Sequence, residues 1–120
     1  MIGLPTDSPA GRDLRRLRTL YRALGDESRL RVIGLLAERG PMPVRDLSAG
    51  VGLSQPLISW HLRILRLAGL IETRRTGRQV ICRLRLDAFE ELHEAEARLI
   101  GGTSGLSVTA ATGDGVPDVG

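Results

Sequence analysis

A chain of 120 residues and 13.0 kDa has room for one domain with a small core and none for a second. All 17 basic side chains are Arg, set against 14 acids, and the resulting net charge of +3 and pI near 10.3 favour a polyanionic partner without proving one. The single cysteine, Cys82, excludes an internal disulfide and any structural zinc site built from several thiolates. No stretch approaches the roughly 18 to 20 apolar residues of a membrane span, and no basic region followed by an apolar run opens the chain. A soluble, cytoplasmic protein is therefore expected.

Residues 1–10, MIGLPTDSPA, mix Pro, Gly, Ser and Thr and are expected to be loosely ordered ahead of a domain over residues 11–100. From Asp13, Leu14, Leu17, Leu20, Tyr21 and Leu24 recur at helical spacing among arginines, giving an amphipathic first helix that stops at Gly25. Asp26 stands where an N-cap belongs, and Leu30, Val32, Ile33, Leu35 and Leu36 predict a second, more apolar helix to about Arg39. Pro41 and Pro43 then break the chain. VRDLSAGVG makes a short third helix with Val44 and Leu47 inward, closed by Gly50 and Gly52.

Ser54 and Pro56 mark the start of a fourth helix that continues to Ala68, with Gly69 as its stop. Two short helices joined by a tight glycine-containing turn are the helix-turn-helix signature, in which the second helix enters the DNA major groove. Leu70, Ile71 and Thr73, then Val80, Ile81 and Leu84, are strand-like, with Thr76-Gly77 as the hairpin tip, so a two-stranded wing follows. A fifth helix spans Asp87 to Ile100. Residues 101–120 have no period and six glycines, and disorder is expected there. The fold class is mainly α with a two-stranded β-wing, a winged helix-turn-helix of five helices.

Charge is concentrated along this plan. Residues 53–85 carry seven Arg against one acid, Glu72, whereas Asp87 to Ile100 holds five acids against Arg98. At about 100° per residue, Leu57, Ile58, His61, Leu62, Ile64, Leu65 and Ala68 fall on the core side of the fourth helix. The opposite side collects Gln55, Pro56, Ser59, Arg63 and Arg66, with Trp60 and Leu67 at its margin. Gln55 and Arg63 can make bidentate bonds to adenine and guanine edges, each discriminating by roughly 1 to 3 kcal/mol, and Ser54, Ser59 and Pro56 stand beside them. Trp60 either packs on sugar and thymine methyl groups or closes the core against the third helix. His61, on the apolar side, reads as a satisfied core histidine rather than a ligand. Arg74, Arg75 and Arg78 bracket the hairpin tip within reach of phosphates or a minor groove, while Arg83 and Arg85 on the return strand are further candidates for the DNA backbone. No nucleophile-base set or phosphate loop is present, so no enzyme activity is expected.

The run Leu24-Gly25-Asp26, the helix from Ser54 to Leu65 with His61-Leu62, the Ala68-Gly69-Leu70 end and the Gly77-Arg78 tip resemble the ArsR/SmtB family of small bacterial winged-helix repressors over about residues 13–100. The resemblance implies a homodimer built on the first and last helices, each subunit offering a recognition helix and wing to half of a palindromic operator. The apolar stripes Leu14, Leu17, Tyr21, Leu24 and Phe89, Leu92, Leu99 point the same way, because peripheral helices of a lone subunit would leave part of them wet.

Many members of that family release DNA when a metal binds, and the ligand positions are where this sequence departs. Val44, Arg45 and Asp46 stand where arsenic, cadmium and lead sensors carry a cysteine motif. In the last helix only His93 and Glu96 resemble the His-x-x-Glu of zinc, cobalt and nickel sensors, and the acid-x-His half has no match. Two such pairs across a dimer axis can take a borderline metal such as nickel, cobalt or zinc; a hydrogen bond at the interface is the alternative, and the favoured one. The expectation is a dimeric, sequence-specific transcriptional repressor of double-stranded DNA. A second hypothesis is a winged-helix module that depends on a sensor protein partner for its signal.

Overall fold

Capping residues mark where the second and fourth helices begin. In the computed structural model, which describes residues 9–101, α1 (Pro9–Leu24) starts on a proline, whose missing N–H leaves no donor unsatisfied in a first turn. Pro9 and Ala10 are thus helical rather than loosely ordered, and the rest of the expected N-terminal stretch lies outside the described residues. The Asp26 carboxylate caps α2 (Glu27–Arg39) by accepting the Arg29 N–H at 3.1 Å. That bond, more than the neighbouring Arg29 charge, holds the Asp26 carboxyl below its ordinary range.

Beyond Gly40 the structure departs from a simple break. Met42–Pro43 form a short strand β1, Met42 lying opposite Cys82 and Pro43 opposite Ile81. The wing is therefore a three-stranded antiparallel sheet of order β1-β3-β2 rather than a two-stranded hairpin, with β2 at Ile71–Thr76 and β3 at Gln79–Leu84. A strand of two residues carries no alternation for a sequence to display, and Pro43 is tolerated because β1 is an edge. Helices α3 (Val44–Val51) and α4 (Gln55–Leu67) sit between β1 and the wing, and α5 (Leu86–Gly101) closes the described chain. Gly101 thus ends a helix, and the remaining tail residues expected to be disordered lie outside the described region.

Leu20, Val32, Leu47, Ile58, Leu65, Leu70, Ile71 and Cys82 form the fully buried centre, drawn from α1, α2, α3, α4 and the sheet. Leu17 and Leu92 also pack into this core, within the subunit. The first and last helices are then bolted by polar contacts. Arg16 Nε donates to Glu91 Oε2 at 2.8 Å, Arg98 Nε to Asp13 Oδ2 at 2.6 Å and the Tyr21 hydroxyl to Glu96 Oε2 at 2.7 Å. These pairs are open to water and fix orientation more than they add stability. Among the described residues no helix is long and apolar enough to cross a membrane.

Leu65 is fully buried in α4, so Leu65→Ala is expected to lower stability by about 2 to 5 kcal/mol through lost burial and a residual cavity. Urea unfolding of the two proteins measures the difference.

Candidate nucleic-acid interface

The turn between α3 and α4 sets the angle at which α4 leaves the body. Gly52, at φ 72°, takes the left-handed conformation that a side chain would disfavour, and its N–H bonds Ser48 O at 3.0 Å. Leu53 N–H reaches the same carbonyl at 3.1 Å, and the Ser48 hydroxyl donates to Leu53 O. Ser48 thus locks the turn with both its backbone and its side chain. Ser54 then caps α4 by accepting the Leu57 N–H at 3.3 Å, with Pro56 in the first turn as expected.

Inward, α4 buries Ile58, His61, Leu62, Leu65 and Ala68, with Ile64 part-buried. Leu57 departs from the predicted core side and is 42% exposed. His61 is a satisfied core residue. Arg29 Nη1 lies 3.1 Å from His61 Nδ1, and since a guanidinium only donates, Nδ1 accepts and the ring proton sits on Nε2. Asp26, at 3.9 Å from the same nitrogen, is beyond hydrogen-bond reach. Arg29 also donates to Ala23 O at 2.6 Å, so the end of α1 and the middle of α4 share one side chain.

Outward, Ser54, Gln55, Pro56, Ser59, Arg63 and Arg66 are exposed. Trp60 joins them at 56% exposure, which answers its placement: the indole does not close the core.

In the wing, Thr76 pairs with Gln79, so the tip is Gly77-Arg78 rather than Thr76-Gly77. Gly77 has φ 64° and Arg78 a negative φ, as in a hairpin turn with glycine at its first central position. Arg74 and Arg75 are both exposed, yet strand alternation sends them to opposite faces. Arg75 shares the face of Thr73, whereas Arg74 shares that of Glu72. Glu72 is directly across from Arg83 and binds its Nε at 2.9 Å. Arg85 is likewise held by Asp87 at 2.9 Å. Arg83 and Arg85 are therefore engaged within the subunit. The guanidinium groups of Arg63, Arg66, Arg74, Arg75 and Arg78 have no ion pair among the described residues.

Between helix and wing runs a groove of about 330 Å³. Gln55, Ser59 and Arg66 of α4 form one wall, Thr73, Arg78 and Gln79 of the wing the other, and Pro43 to Arg45 one end. Three arginines and no acid line it. Arg45, Thr73, Gln79 and the lining position of Arg66 were not among the expected contacts. Only the docking of α3 against the wing brings Arg45 here, and nothing in its local sequence signals that.

The model for "Bacterial regulatory protein, arsR family" matches residues 26–73, which contain the α2 cap, the helix-turn-helix and the first half of β2. A crystal structure described as a possible transcriptional regulator for arsenical resistance is 33% identical with a TM-score of 0.57, covering 61% of this chain and 75% of that one. The chain belongs to the ArsR/SmtB family. The arsenical resistance operon repressor of Escherichia coli (strain K12) is 45% identical over 65 residues, 54% of this chain and 56% of that protein. A solution structure from Mycobacterium bovis, described as a homodimeric winged helix-turn-helix DNA-binding domain and a possible ArsR-family regulator, is 25% identical with a TM-score of 0.64, covering 80% of this chain and 87% of that one. This ArsR/SmtB chain spans 56%, 65% and 61% of three curated relatives it matches.

The candidate effector residues of the ArsR/SmtB fold lie apart from the groove. His93 Nδ1 is 3.4 Å from Glu96 Oε1, while Glu96 Oε2 takes the Tyr21 hydroxyl, so the acid on α5 already has its partners. Among the described residues no group of three or more His, Cys, Asp and Glu side chains lies together as a metal would require. Two donors from one subunit, one of them bound to a tyrosine, do not by themselves fit a resident metal. Cys82 is equally unsuited, because burial pushes its thiol up to about 12 and away from the thiolate that metals and oxidants need.

Thiol reagents at neutral pH are accordingly expected to leave Cys82 unmodified in the folded protein and to label it stoichiometrically in urea. Rapid labelling under native conditions would contradict the buried, inert assignment.

Proposed function

We propose that the chain is a homodimeric, sequence-specific DNA-binding transcriptional repressor and not an enzyme, with α4 in the major groove and the wing on the DNA backbone. The groove between them carries the reading. Its polar side chains and three arginines face one another with no acid between, as a surface that meets base edges on one wall and phosphates on the other should. Gln55, Ser59 and Arg63, with Trp60 beside them, contact bases; Ser54 and Pro56 set the helix start against the duplex. Arg78, Arg75 and Arg74 contact phosphates, the last two from opposite faces of β2. Arg45 and Arg66 join them from the groove.

The dimer is supported by the apolar surface that α1 and α5 leave open. Leu14, Tyr21 and Leu99 are 41%, 45% and 54% exposed, beside a groove of about 540 Å³ lined by Leu14, Leu17, Ala95 and Leu99. Leu24 and Phe89 are part-buried against the core, while Leu17 and Leu92 stiffen the helices from within. Such a surface favours a second copy over water. The Escherichia coli relative is described as an operon repressor and the Mycobacterium bovis relative as homodimeric, which is the assembly proposed for this chain.

Two experiments test this reading. Arg78→Ala is expected to weaken binding across sequences and to reduce the slope of log K against log salt by about 1, whereas Arg83→Ala, already paired with Glu72, should leave the slope unchanged. Equal slopes for Arg78→Ala and the parent protein would remove the wing from the interface. For regulation, the Tyr21 hydroxyl held by Glu96 and the lack of a third donor among the described residues lead us to expect that titration with nickel, cobalt or zinc leaves duplex affinity unchanged. A metal-dependent change that disappears in His93→Ala would instead mean that a second subunit completes the site.

A further inference from the structure

The exposed half of α4 is divided lengthwise. Gln55 and Ser59 are four apart and share an edge with Arg66, and all three line the groove facing the wing. Pro56 and Trp60, also four apart, form the adjacent row, with Leu57 on its far side; none of these three lines the groove. Trp60 is 56% exposed, and its indole has no hydrogen bond among the described residues. The sequence holds one Trp, one Tyr and one Phe, so leaving its largest apolar side chain exposed on α4 is not explained by packing within the subunit. The open apolar surface of α1 and α5 is on other helices and does not account for it.

We infer that this apolar row reads thymine methyl groups, so that each half-site carries thymine on the strand facing Pro56 and Trp60. Among the four bases only thymine offers a methyl group to the major groove, and it does so beside an adenine whose N6 and N7 suit a glutamine. A·T pairs therefore suit both rows: an adenine edge suits Gln55, and a thymine methyl of the half-site suits the indole. Arg63 and Leu67 continue the same stripe toward the helix C-terminus, Leu67 about 10 Å beyond Trp60, so the methyl contact falls to the Pro56–Trp60 end.

The inference rests on the DNA-binding reading and is tested with the full chain. Duplexes are enriched from a random library, and each thymine of the enriched half-site is then replaced by deoxyuridine, which deletes the methyl and keeps every hydrogen-bonding edge. At one or more positions the wild type should bind about fourfold more weakly per methyl lost, the equivalent of roughly 0.8 kcal/mol. Trp60→Ala should bind the thymine duplex more weakly and show no further loss with deoxyuridine, while Trp60→Phe retains the methyl effect. Deoxyuridine duplexes that all bind the wild type as tightly as thymine duplexes overturn the inference and leave the DNA-binding reading intact. Unchanged affinity in Trp60→Ala also overturns it and assigns the indole to a protein contact. Failure to enrich any duplex overturns both readings.

Discussion

A histidine buried in the middle of a helix needs polar partners for its ring nitrogens, and here one of those partners ties α4 to the two helices beneath it. Arg29 reaches from the first turn of α2 to His61 of α4 through Nη1 and to the Ala23 carbonyl at the end of α1 through Nε. The α1 carbonyl would otherwise be an orphan at a helix C-terminus, and the imidazole an unsatisfied group in the interior. One guanidinium removes both costs and joins the helix proposed to carry the dimer to the helix proposed to read DNA. The Asp26 cap holds the α2 backbone at Arg29, so the connection is stiff at its base.

The same sorting of charge explains why a modest net charge can produce a strongly basic face. Arg16 and Arg98 are neutralised by acids that link α1 and α5, Arg85 by an acid at the start of α5, and Arg83 by its cross-strand neighbour. Arg63, Arg66, Arg74, Arg75 and Arg78 of α4 and the wing are among the arginines that have no such partner among the described residues. The acidic last helix thereby acts as a sink for arginines away from the groove, and its own acids gain partners that hold them in place.

Much of this was legible in the residues because it is local. Asp26 and Ser54 followed by apolar periodicity mark helix starts through hydrogen bonds that close within a few residues, and Gly52 and Gly77 mark turns through a backbone angle that other residues avoid. The outer face of α4 followed from helical phase alone. Phase was less informative at the ends of elements. Leu57 has the angle of a core residue but stays exposed, and Leu17 and Leu92 have the look of interface residues but already fill the subunit core.

What lies between elements was not legible. The pairing of Met42 and Pro43 with β3, the capture of Arg83 by Glu72, the reach of Arg29 to His61 and the arrival of Arg45 at the groove all join residues far apart in the chain or across a sheet register. By itself the sequence determined which segments become helix, turn and wing, and which family they belong to, because caps, glycines and apolar periods act over one or two turns. Tertiary structure decided which arginines remain available to a partner, how α4 is held and where its exposed surface divides. Those properties depend on which side chains meet across the core, and meeting is a matter of packing rather than of neighbours in sequence.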